Sequence, residues 1–344
     1  MKSSNFKFVK IYSSFILMAS LLLCGCSRFS PSGPLTANGF YFDTSVSVSI
    51  YDAPSKEDGE RILSECMSLA EYYENIFSKT VSTSDISQIN FHTGEYVTVH
   101  EETIELLQAA CSYAELSDGL VDPTIGAVSS LWDFHEQKHS DIPSEAALQK
   151  ATSTVNYKNI HINGQQVMLS NPEASLDLGF IAKGFIADKI KTHLETQQIH
   201  SALIRLGGNI LAVGQKPDGS DFRIGIQKPF SQTGTPLLTI GVHDLSVVSS
   251  GNYERYFIKD NLLYHHILST ETGLPVNSGL SQVTIISDRS VDGDAFSTYC
   301  FILGYENAAT LLQQYPDIQA IFVFDDGTVS YVNFDSSSLL NAPK

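Results

Sequence analysis

The amino-acid sequence predicts a single globular unit of the α+β class, with mixed sheets, behind a short export segment. Its 344 residues are 42% hydrophobic, enough to bury a large core in one unit of two intimately joined lobes. Apolar and polar residues alternate from Ser45 to Tyr51, which is the period of a half-buried strand. Apolar residues at helical spacing then predict helices from about Lys56 to Phe77 and from about Glu101 to Leu116.

The rest of the chain alternates between short strand and helix patterns, with no internal repeat and no linker that would separate domains. Helical spacing predicts helices from Phe180 to Thr196, from Asp294 to Leu303 and near Glu306 to Gln314. Short apolar runs predict strands at Ile160 to Leu169, Ala202 to Leu206, Leu237 to Val242, Val247 to Ser250, Tyr264 to Leu268, Gln282 to Ile286 and Ala320 to Phe324.

The first 25 residues have the layout of a secretory signal. Lys2, Lys7 and Lys10 form a basic start without acidic residues, and an apolar run follows from Phe15 to Leu23. A membrane-spanning helix needs about 20 apolar residues, so this run is too short to be one.

The signal ends at a cysteine, Cys26. The sequence Leu23-Cys24-Gly25-Cys26 resembles the bacterial lipobox, in which cleavage leaves the cysteine as a lipidated N-terminus. An ordinary signal peptide with chance cysteines is the alternative. Two or three acyl chains anchor a protein stably, and the Ser, Pro and Gly content of Ser27 to Asn38 predicts a flexible tether. The expected organisation is a signal peptide at 1–25, a tether at 26–38 and a globular domain at 39–340, lipid-anchored on the extracytoplasmic face of the cell membrane.

Charge and cysteine content exclude several functions. The formal net charge of −17 becomes −20 without the three signal lysines (18 basic against 38 acidic residues). Nucleic-acid binding needs clustered Lys and Arg, and anionic lipid repels a chain this acidic, so the lipid anchor would be its membrane contact. Cys66, Cys111 and Cys300 are too widely spaced for a metal cluster or a disulfide framework. They predict buried free thiols, with one disulfide as the alternative.

Two clusters in the first half of the domain combine carboxylates, glycines and hydroxyls. In Ser117 to Gly126 (SDGLVDPTIG), Pro123 keeps Asp122 on extended backbone, although an Asp-Pro turn explains the pattern as well. Leu176 to Gly184 (LDLGFIAKG) leads from a strand end through a glycine into a helix, an arrangement that presents backbone N–H groups to an anion. Lys183 adds a point charge suited to phosphate.

Two further clusters lie in the second half. Arg205 to Asn209 (RLGGN) permits close approach of a ligand to the backbone, or a simple tight turn. Asp294 and Thr298 are four residues apart near a predicted helix start, so their oxygens share one face of the helix. A Mg²⁺ ion takes one or two protein oxygens of this kind and completes its ligand set with phosphate oxygens and water. An N-capping aspartate is the alternative. His265 and His266 are adjacent on a predicted strand and point to opposite faces, which disfavours zinc and leaves one histidine facing a cleft as acid or base.

In this order the clusters resemble the ApbE family, the FAD:protein FMN transferases, from about Phe42 to Gly304. No single block is specific, but five or six in order are. The similar blocks are Phe77-Ser78 with Ser84 to Asn90 (SDISQIN), Asp118 to Thr124 (DGLVDPT), Asp177 to Gly184 (DLGFIAKG), Ser249 to Gly251 with Tyr253 to Arg255, His266-Ile267, Thr272-Gly273 with Pro275, and Asp294 with Thr298.

The resemblance implies an ApbE-like, T-fold-related fold that binds FAD with its pyrophosphate bridged by Mg²⁺. The implied metal ligands are Asp294, Thr298 and the backbone carbonyl of Phe180. The positions that match residues lining the flavin nucleotide are Phe42, Thr80, Leu120, Val121, Asp122, Asp177, Lys183, Ile267 and Leu268. The implied reaction joins FMN through a phosphoester to a Thr or Ser hydroxyl of an exported acceptor protein and releases AMP. Lys183 would stabilise phosphate charge, and His266 is the candidate base.

The sequence also departs from the family pattern. Phe42-Asp43-Thr44 stands where the family has M-G-T, Thr80 where an aromatic residue is common, Phe180 where a small residue is usual, Ser269 where an acid is frequent, and Gly293 where an alanine precedes the metal aspartate. These changes affect pocket shape and FAD affinity more than the metal pair or Lys183.

An FAD pyrophosphatase would need the same residues, and a non-catalytic flavin-binding lipoprotein is a further alternative. The acceptor motif D-G-x-S/T-G-A-T is absent, which argues against a flavinylated carrier.

Overall fold

The structure, a computed structural model, describes residues 33–134 and 141–341. Within these ranges the helices are α1 (Lys56–Phe77), α2 (Asp85–Phe91), α3 (Glu101–Leu116), α4 (Gly126–Ser129), α5 (Glu145–Thr152), α6 (Ala182–Thr196), α7 (Ser290–Leu303) and α8 (Tyr305–Leu312). The strands are β1 (Leu35–Tyr41), β2 (Thr44–Ile50), β3 (Val97–Thr98), β4 (Ile160–Asn163), β5 (Gln166–Leu169), β6 (Ala202–Leu206), β7 (Asn209–Val213), β8 (Phe222–Gln227), β9 (Pro236–Val242), β10 (Ser246–Gly251), β11 (Tyr256–Lys259), β12 (Leu262–His265), β13 (Leu280–Ser287), β14 (Gln319–Phe324), β15 (Val329–Val332) and β16 (Leu339–Asn341).

The largest sheet has eight strands in the order β1-β2-β6-β7-β10-β13-β14-β15. Short hairpins join neighbours such as β1 and β2 or β6 and β7, and strands joined in this way run antiparallel. Three smaller sheets have the orders β16-β9-β8, β3-β5-β4 and β11-β12. The α+β class is confirmed, but the sheets are antiparallel and not mixed. Within the described residues the parallel pairing is an isolated bridge between Ile125 and Ser175.

The large sheet separates two layers, because successive residues of a strand point to opposite faces. On one face, Val48, Ile204 and Leu211 pack in a common core with α1 and α6, and α7 lies beside α6 over β10 and β13. On the other face, Leu203 and Ala212 pack against β8 and β9 of the three-stranded sheet. α6 and α7 therefore lie on one face of the large sheet, and β8 and β9 lie on the other.

The two long helices near the N-terminus occupy the ranges that the sequence predicts. The Ser55 side chain caps α1 by accepting the Asp58 N–H at 3.0 Å. The Asp85 carboxylate accepts the His100 N–H and the Thr103 hydroxyl at the start of α3. Both helices bury an apolar stripe and expose the opposite face, so their spacing was readable from the sequence.

Two strand predictions are wrong in detail. The segment Ile160 to Leu169 forms a hairpin, β4 and β5, around a two-residue loop in which Gly164 has a φ of 58°. The strand predicted from Tyr264 to Leu268 ends at His265, because the Ile267 N–H donates to the His265 ring nitrogen at 3.3 Å and the backbone turns there.

The helix predicted from Asp294 begins four residues earlier, at Ser290. Its first N–H groups, those of Ser290 and Val291, donate to the Asp188 carboxylate of α6 at 2.8 and 3.0 Å. This cap comes from another helix and leaves no local sequence signal. Asp294 therefore lies in the second turn of α7 and is not the residue that caps it.

The predicted tether is too long. Strand β1 begins at Leu35, so the last part of the tether, residues 35–38, pairs with β2. The signal peptide and Cys26 lie outside the described residues.

The three cysteines of the domain are free, as predicted, with Cys66 and Cys300 buried and Cys111 partly buried. Burial raises the pKa of the Cys66 and Cys300 thiols to about 12.

Candidate functional site

One cavity of about 990 Å³ opens where the strand ends, α6 and α7 meet. Every predicted site residue of the globular domain lines it, namely Phe42, Thr80, Leu120, Val121, Asp122, Asp177, Phe180, Lys183, His266, Ile267, Leu268, Asp294 and Thr298. Lys79, Lys183, Arg205 and Arg255 also line it, in a chain with a net charge of −17. Five acidic residues line it too, namely Asp43, Asp122, Asp177, Glu254 and Asp294, so positive charge is enriched there only relative to the rest of the chain. The four cations can still bind an anion such as a pyrophosphate.

Asp294 joins α7 to the start of α6. The Gly184 N–H, near the N-terminal end of α6, donates to Asp294 Oδ2 at 2.6 Å. The Lys183 ammonium lies 3.8 Å from Asp294 Oδ1, and it donates to the Gly179 carbonyl at 3.1 Å. The carboxylate is 4% exposed. The N-terminal end of α6, a backbone N–H and a lysine therefore all meet at this carboxylate.

The oxygens around Asp294 fit a Mg²⁺ ion. Asp294 Oδ1 accepts no hydrogen bond from the described residues, and the Thr298 hydroxyl lies one turn further along α7, 3.2 Å from the Ser250 hydroxyl. Among those residues, no hydrogen bond ends on the carbonyl of Phe180 either. A carboxylate, a hydroxyl and a carbonyl form the small, all-oxygen donor set that Mg²⁺ takes together with phosphate oxygens and water. The described residues hold no group of three or more His, Cys, Asp or Glu that would bind a metal alone.

Asp177 is paired with a lysine that the sequence reasoning missed. Lys79 Nζ and Ser129 Oγ each lie 2.7 Å from Asp177 Oδ2, and the Gly179 N–H donates to Oδ1 at 3.0 Å. Burial alone would raise the pKa of Asp177, but the Lys79 charge and these hydrogen bonds outweigh it and lower that pKa. Lys79 directly follows the Phe77-Ser78 block and precedes Thr80, so its position beside two matching segments was the available signal.

Asp122 braces the wall of the cavity. Its Oδ1 accepts the Thr124 N–H and hydroxyl at 2.8 and 2.6 Å, and Oδ2 accepts the Tyr157 N–H at 2.8 Å. Burial raises the pKa of this carboxyl, and the three hydrogen bonds oppose the rise. Asp122 thus fixes the backbone that presents its neighbours Leu120 and Val121 to the cavity.

The two histidines face different surroundings, as predicted. His265 Nε2 is 3.0 Å from the Val276 carbonyl, whereas His266 lines the cavity. His266 Nδ1 is buried and has no hydrogen-bond partner among the described residues. Burial, and then the charges of His265, Arg255 and Lys183, lower the pKa of His266 to about 3. The ring is therefore neutral at physiological pH.

Glu254 is a second unusual acid in the cavity, and the sequence reasoning gave it no role. Its Oε1 lies 2.9 Å from where a Cβ at Gly208 would stand, so the glycine makes room for it. Many protein atoms lie near the side chain, but Glu254 is exposed to water in the cavity. Burial raises the pKa of Glu254 to about 7, against the lowering effect of Lys183 and Arg255. Its place between Tyr253 and Arg255 in a matching block was the signal.

The departures from the family pattern at Phe42 to Thr44 and at Thr80 line the cavity. Phe42 and Asp43 form the β1–β2 turn with φ values of 53° and 55°, a left-handed conformation that glycine adopts at little cost and phenylalanine rarely does. The Glu74 carboxylate accepts the Phe42 N–H at 2.6 Å and helps to hold this turn. Thr80 lies exposed at the same cavity, 2.9 Å from the Ser78 hydroxyl.

Comparison with known proteins decides the family. The ApbE family model matches residues 42–322. The chain belongs to the ApbE family. It is 34% identical over 298 residues to the FAD:protein FMN transferase of Treponema pallidum, and the match covers 82% of each protein. It is 35% identical over 267 residues to an FAD:protein FMN transferase of Klebsiella pneumoniae, and that match covers 77% of this chain and 82% of the relative.

Solved structures of the family share the fold. The crystal structure of the ApbE protein from Thermotoga maritima has a TM-score of 0.79 at 30% identity, covering 87% of this chain and 97% of the other. The flavin transferase ApbE from Vibrio cholerae has a TM-score of 0.78 at 25% identity, covering 88% and 98%. The matched parts cover 97% and 98% of the two solved chains, so the likeness extends over nearly their whole length.

No helix in the described part of this ApbE chain is long and apolar enough to cross a membrane. The predicted lipid attachment at Cys26 lies outside those residues, so membrane anchoring stays a prediction.

Proposed function

We propose that this ApbE-family protein is a Mg²⁺-dependent FAD:protein FMN transferase. It would cleave the pyrophosphate of FAD and attach FMN to a Thr or Ser hydroxyl of an exported acceptor protein. The observation that carries the proposal is the junction of Asp294, Gly184 and Lys183, which brings the segment Asp177 to Gly184 and the Asp294–Thr298 pair to one cavity. The names of the relatives supply the reaction class.

The bond changes define what the residues must do. The acceptor hydroxyl oxygen forms a bond to the FMN phosphorus, the phosphorus–oxygen bond to the AMP phosphate breaks, AMP leaves, and the hydroxyl proton passes to a base. Such transfer depends mainly on positioning and on charge neutralisation. Lys183 and the N-terminal end of α6 supply fixed positive charge for the phosphates.

Asp294, Thr298 and the Phe180 carbonyl would hold the Mg²⁺ ion. When bound, the ion supplies further positive charge to the pyrophosphate oxygens. The Gly184 N–H fixes Asp294 Oδ2 and leaves Oδ1 toward Lys183. The site is thus pre-organised on two helices, which hold side chains more rigidly than loops do.

His266 is the proposed proton acceptor. Its neutral ring at the cavity suits that role, but a pKa of about 3 makes it a weak base in the free protein. Burial and the nearby cations Arg255 and Lys183 cause that low pKa, and the charges of a bound pyrophosphate would offset them. Substrate binding would therefore raise the basicity of His266 when it is needed.

The lipid at Cys26 would hold the enzyme on the outer face of the cell membrane, where exported acceptors are accessible. The shortened tether, which ends before Leu35, still separates the domain from the anchor.

The test is an acceptor assay. The mature chain is incubated with FAD, Mg²⁺ and a peptide bearing the acceptor motif, and covalent flavin on the peptide and released AMP are both measured. EDTA should abolish both products, and added Mg²⁺ should restore them. Asp294→Ala should behave like EDTA-treated enzyme, whereas Asp317→Ala, an exposed aspartate that does not line the cavity, should behave like wild type.

Each other outcome sinks a defined part of the proposal. Free FMN and AMP without labelled peptide would identify a pyrophosphatase. FAD binding without AMP would identify a non-catalytic flavin-binding protein. Labelling that survives both EDTA and Asp294→Ala would refute the metal site.

A further inference from the structure

One wall of the cavity is the edge of a strand. Four successive residues of β8, 224–227, line the cavity. Successive side chains of a strand point to opposite faces, so a cavity that meets all four runs along the edge of β8 and not across a face. β8 ends the sheet order β16-β9-β8, and β9 pairs with its other edge throughout. The edge beside the cavity is therefore the free one, with unpaired backbone N–H and C=O groups.

The other sheet edges of the described chain do not share this position. β1 and β15 at the ends of the large sheet, β16, β3 and β4 contribute no residue to the cavity. The β11-β12 hairpin contributes Tyr256 alone.

The edge of β8 is open to a second backbone. Ile224 and Ile226 point into the core, and Gly225 between them is exposed and has no side chain. Proteins usually blunt free edges with proline, charge or a covering segment. Residues 224–226 carry neither proline nor charge, so another strand can approach closely.

We propose that this edge docks the acceptor protein, which adds an extended segment to β8 as a further strand and places its Ser or Thr hydroxyl in the cavity. The proposal rests on the proposed transferase function, since only that reaction needs a protein hydroxyl beside His266 and Asp294. Strand addition supplies affinity through main-chain hydrogen bonds, and alternate side chains of the added strand point to one side. The same edge thus binds the acceptor backbone and directs one of its side chains.

Charge indicates the kind of segment. Arg223 on β8 and Lys228 immediately after it are both exposed, in a chain that is otherwise strongly acidic. An acidic extended segment would complement this pair and be repelled elsewhere on the surface.

The first experiment measures amide hydrogen exchange in the wild-type mature chain, so that no variant has to fold. The probes are the peptide Asp-Gly-Ala-Ser-Gly-Ala-Thr, which can accept FMN, and an inert copy with Ala and Val at the two hydroxyl positions. Saturating inert peptide should slow exchange in Phe222–Gln227 by about tenfold, because free-edge amides become hydrogen-bonded. Leu339–Asn341, the opposite edge of the same sheet, is the internal control and should not change.

The second experiment tests the charge pair. Arg223→Glu combined with Lys228→Glu should raise the KM for the reactive peptide about fivefold or more, with the FAD dissociation constant unchanged. Lys158→Glu, an exposed lysine away from the cavity, should leave both constants unchanged.

The outcomes separate this proposal from the proposed function. FMN transfer to the reactive peptide with unchanged exchange in β8 overturns the docking site and leaves the transferase intact. AMP release without any labelled peptide overturns the transferase, and the docking site with it. Protection of β8 that rises with protein concentration in the absence of peptide assigns the edge to a second copy of the chain and overturns the acceptor proposal.

Discussion

Gly184→Ala should damage the site from its supporting backbone. A Cβ at this position would stand 2.2 Å from the Ser290 carbonyl oxygen and 2.7 Å from the Val291 Cα. Carbon atoms pack best at about 3.5–4.0 Å, so α6 and α7 would have to separate by about 1 Å. Both obstacles are backbone atoms, which no change of rotamer can remove.

The magnitude follows from two losses and one gain. Overpacking a tight core contact costs about 1–3 kcal/mol. A 1 Å separation would also stretch the 2.6 Å bond from the Gly184 N–H to Asp294, and a hydrogen bond to a charged group contributes about 1.5–3 kcal/mol. Alanine in a helix returns about 1 kcal/mol. The net loss of unfolding free energy should be about 2–5 kcal/mol, and a 1 Å misplacement of Asp294 should slow FMN transfer about 100-fold.

The assay is thermal unfolding together with the rate of FMN transfer at saturating Mg²⁺. Gly293→Ala, one residue before Asp294, is the matched control because its Cβ would meet chiefly the Val248 Cγ2 methyl, at 2.6 Å. A side-chain methyl can shift, so that variant should lose at most about 1 kcal/mol and keep its transfer rate. A Gly184→Ala enzyme with normal stability and rate would refute the claim that the contact between α6 and α7 positions Asp294.

Three further changes have defined expectations. Lys79→Met should lower stability by about 1 kcal/mol at pH 7, because the partly exposed ion pair to Asp177 is lost. The pair lowers the pKa of Asp177, so its contribution is lost as the pH falls through that lowered pKa, and the difference between the two proteins in thermal unfolding should shrink as the pH falls below 3.8. Glu254→Gln should match wild type near pH 4 and exceed its stability by about 1 kcal/mol at pH 8. A pKa raised to about 7 means that the folded state holds the proton more tightly than the unfolded state, so wild type loses stability as the pH rises between the two pKa values. Equal unfolding curves at pH 8 would contradict the raised pKa. Cys26→Ser should move the protein out of the membrane fraction, or leave it unprocessed, without changing FMN transfer by the purified domain; continued membrane association of a processed variant would argue against lipidation there.

The sequence predicted those elements whose signals are local. α1 and α3 have amphipathic spacing, and Ser55 caps α1 with its own side chain. The hairpin of β4 and β5 also had a local signal, since Gly164 takes the first position of the two-residue loop with a positive φ, as glycine does in type II′ turns, and the single-strand prediction overlooked it. The start of α7 had none, because Asp188, distant in sequence, satisfies its first N–H groups.

The same distinction holds for the site. Motif order identified the residues that line the cavity, because each block contributes an oxygen, a glycine or a cation at a fixed place in the chain. It did not reveal that Lys79 pairs with Asp177, or that the Asp122 carboxylate accepts hydrogen bonds from Thr124 and Tyr157. Partners of this kind depend on tertiary contact, and spacing within a block does not encode them. The pKa of Glu254 has the same origin, since burial sets it.

The residues that line the cavity are spread along the chain from Phe42 to Ile302. Its walls come from almost the whole length of the chain, so no folded fragment can present a complete binding surface. A ligand that occupies it binds the native state alone, and by mass action FAD at 100 times its dissociation constant would stabilise the fold by about 2.7 kcal/mol. The supply of FAD would then govern how long the folded enzyme lasts as well as how fast it works.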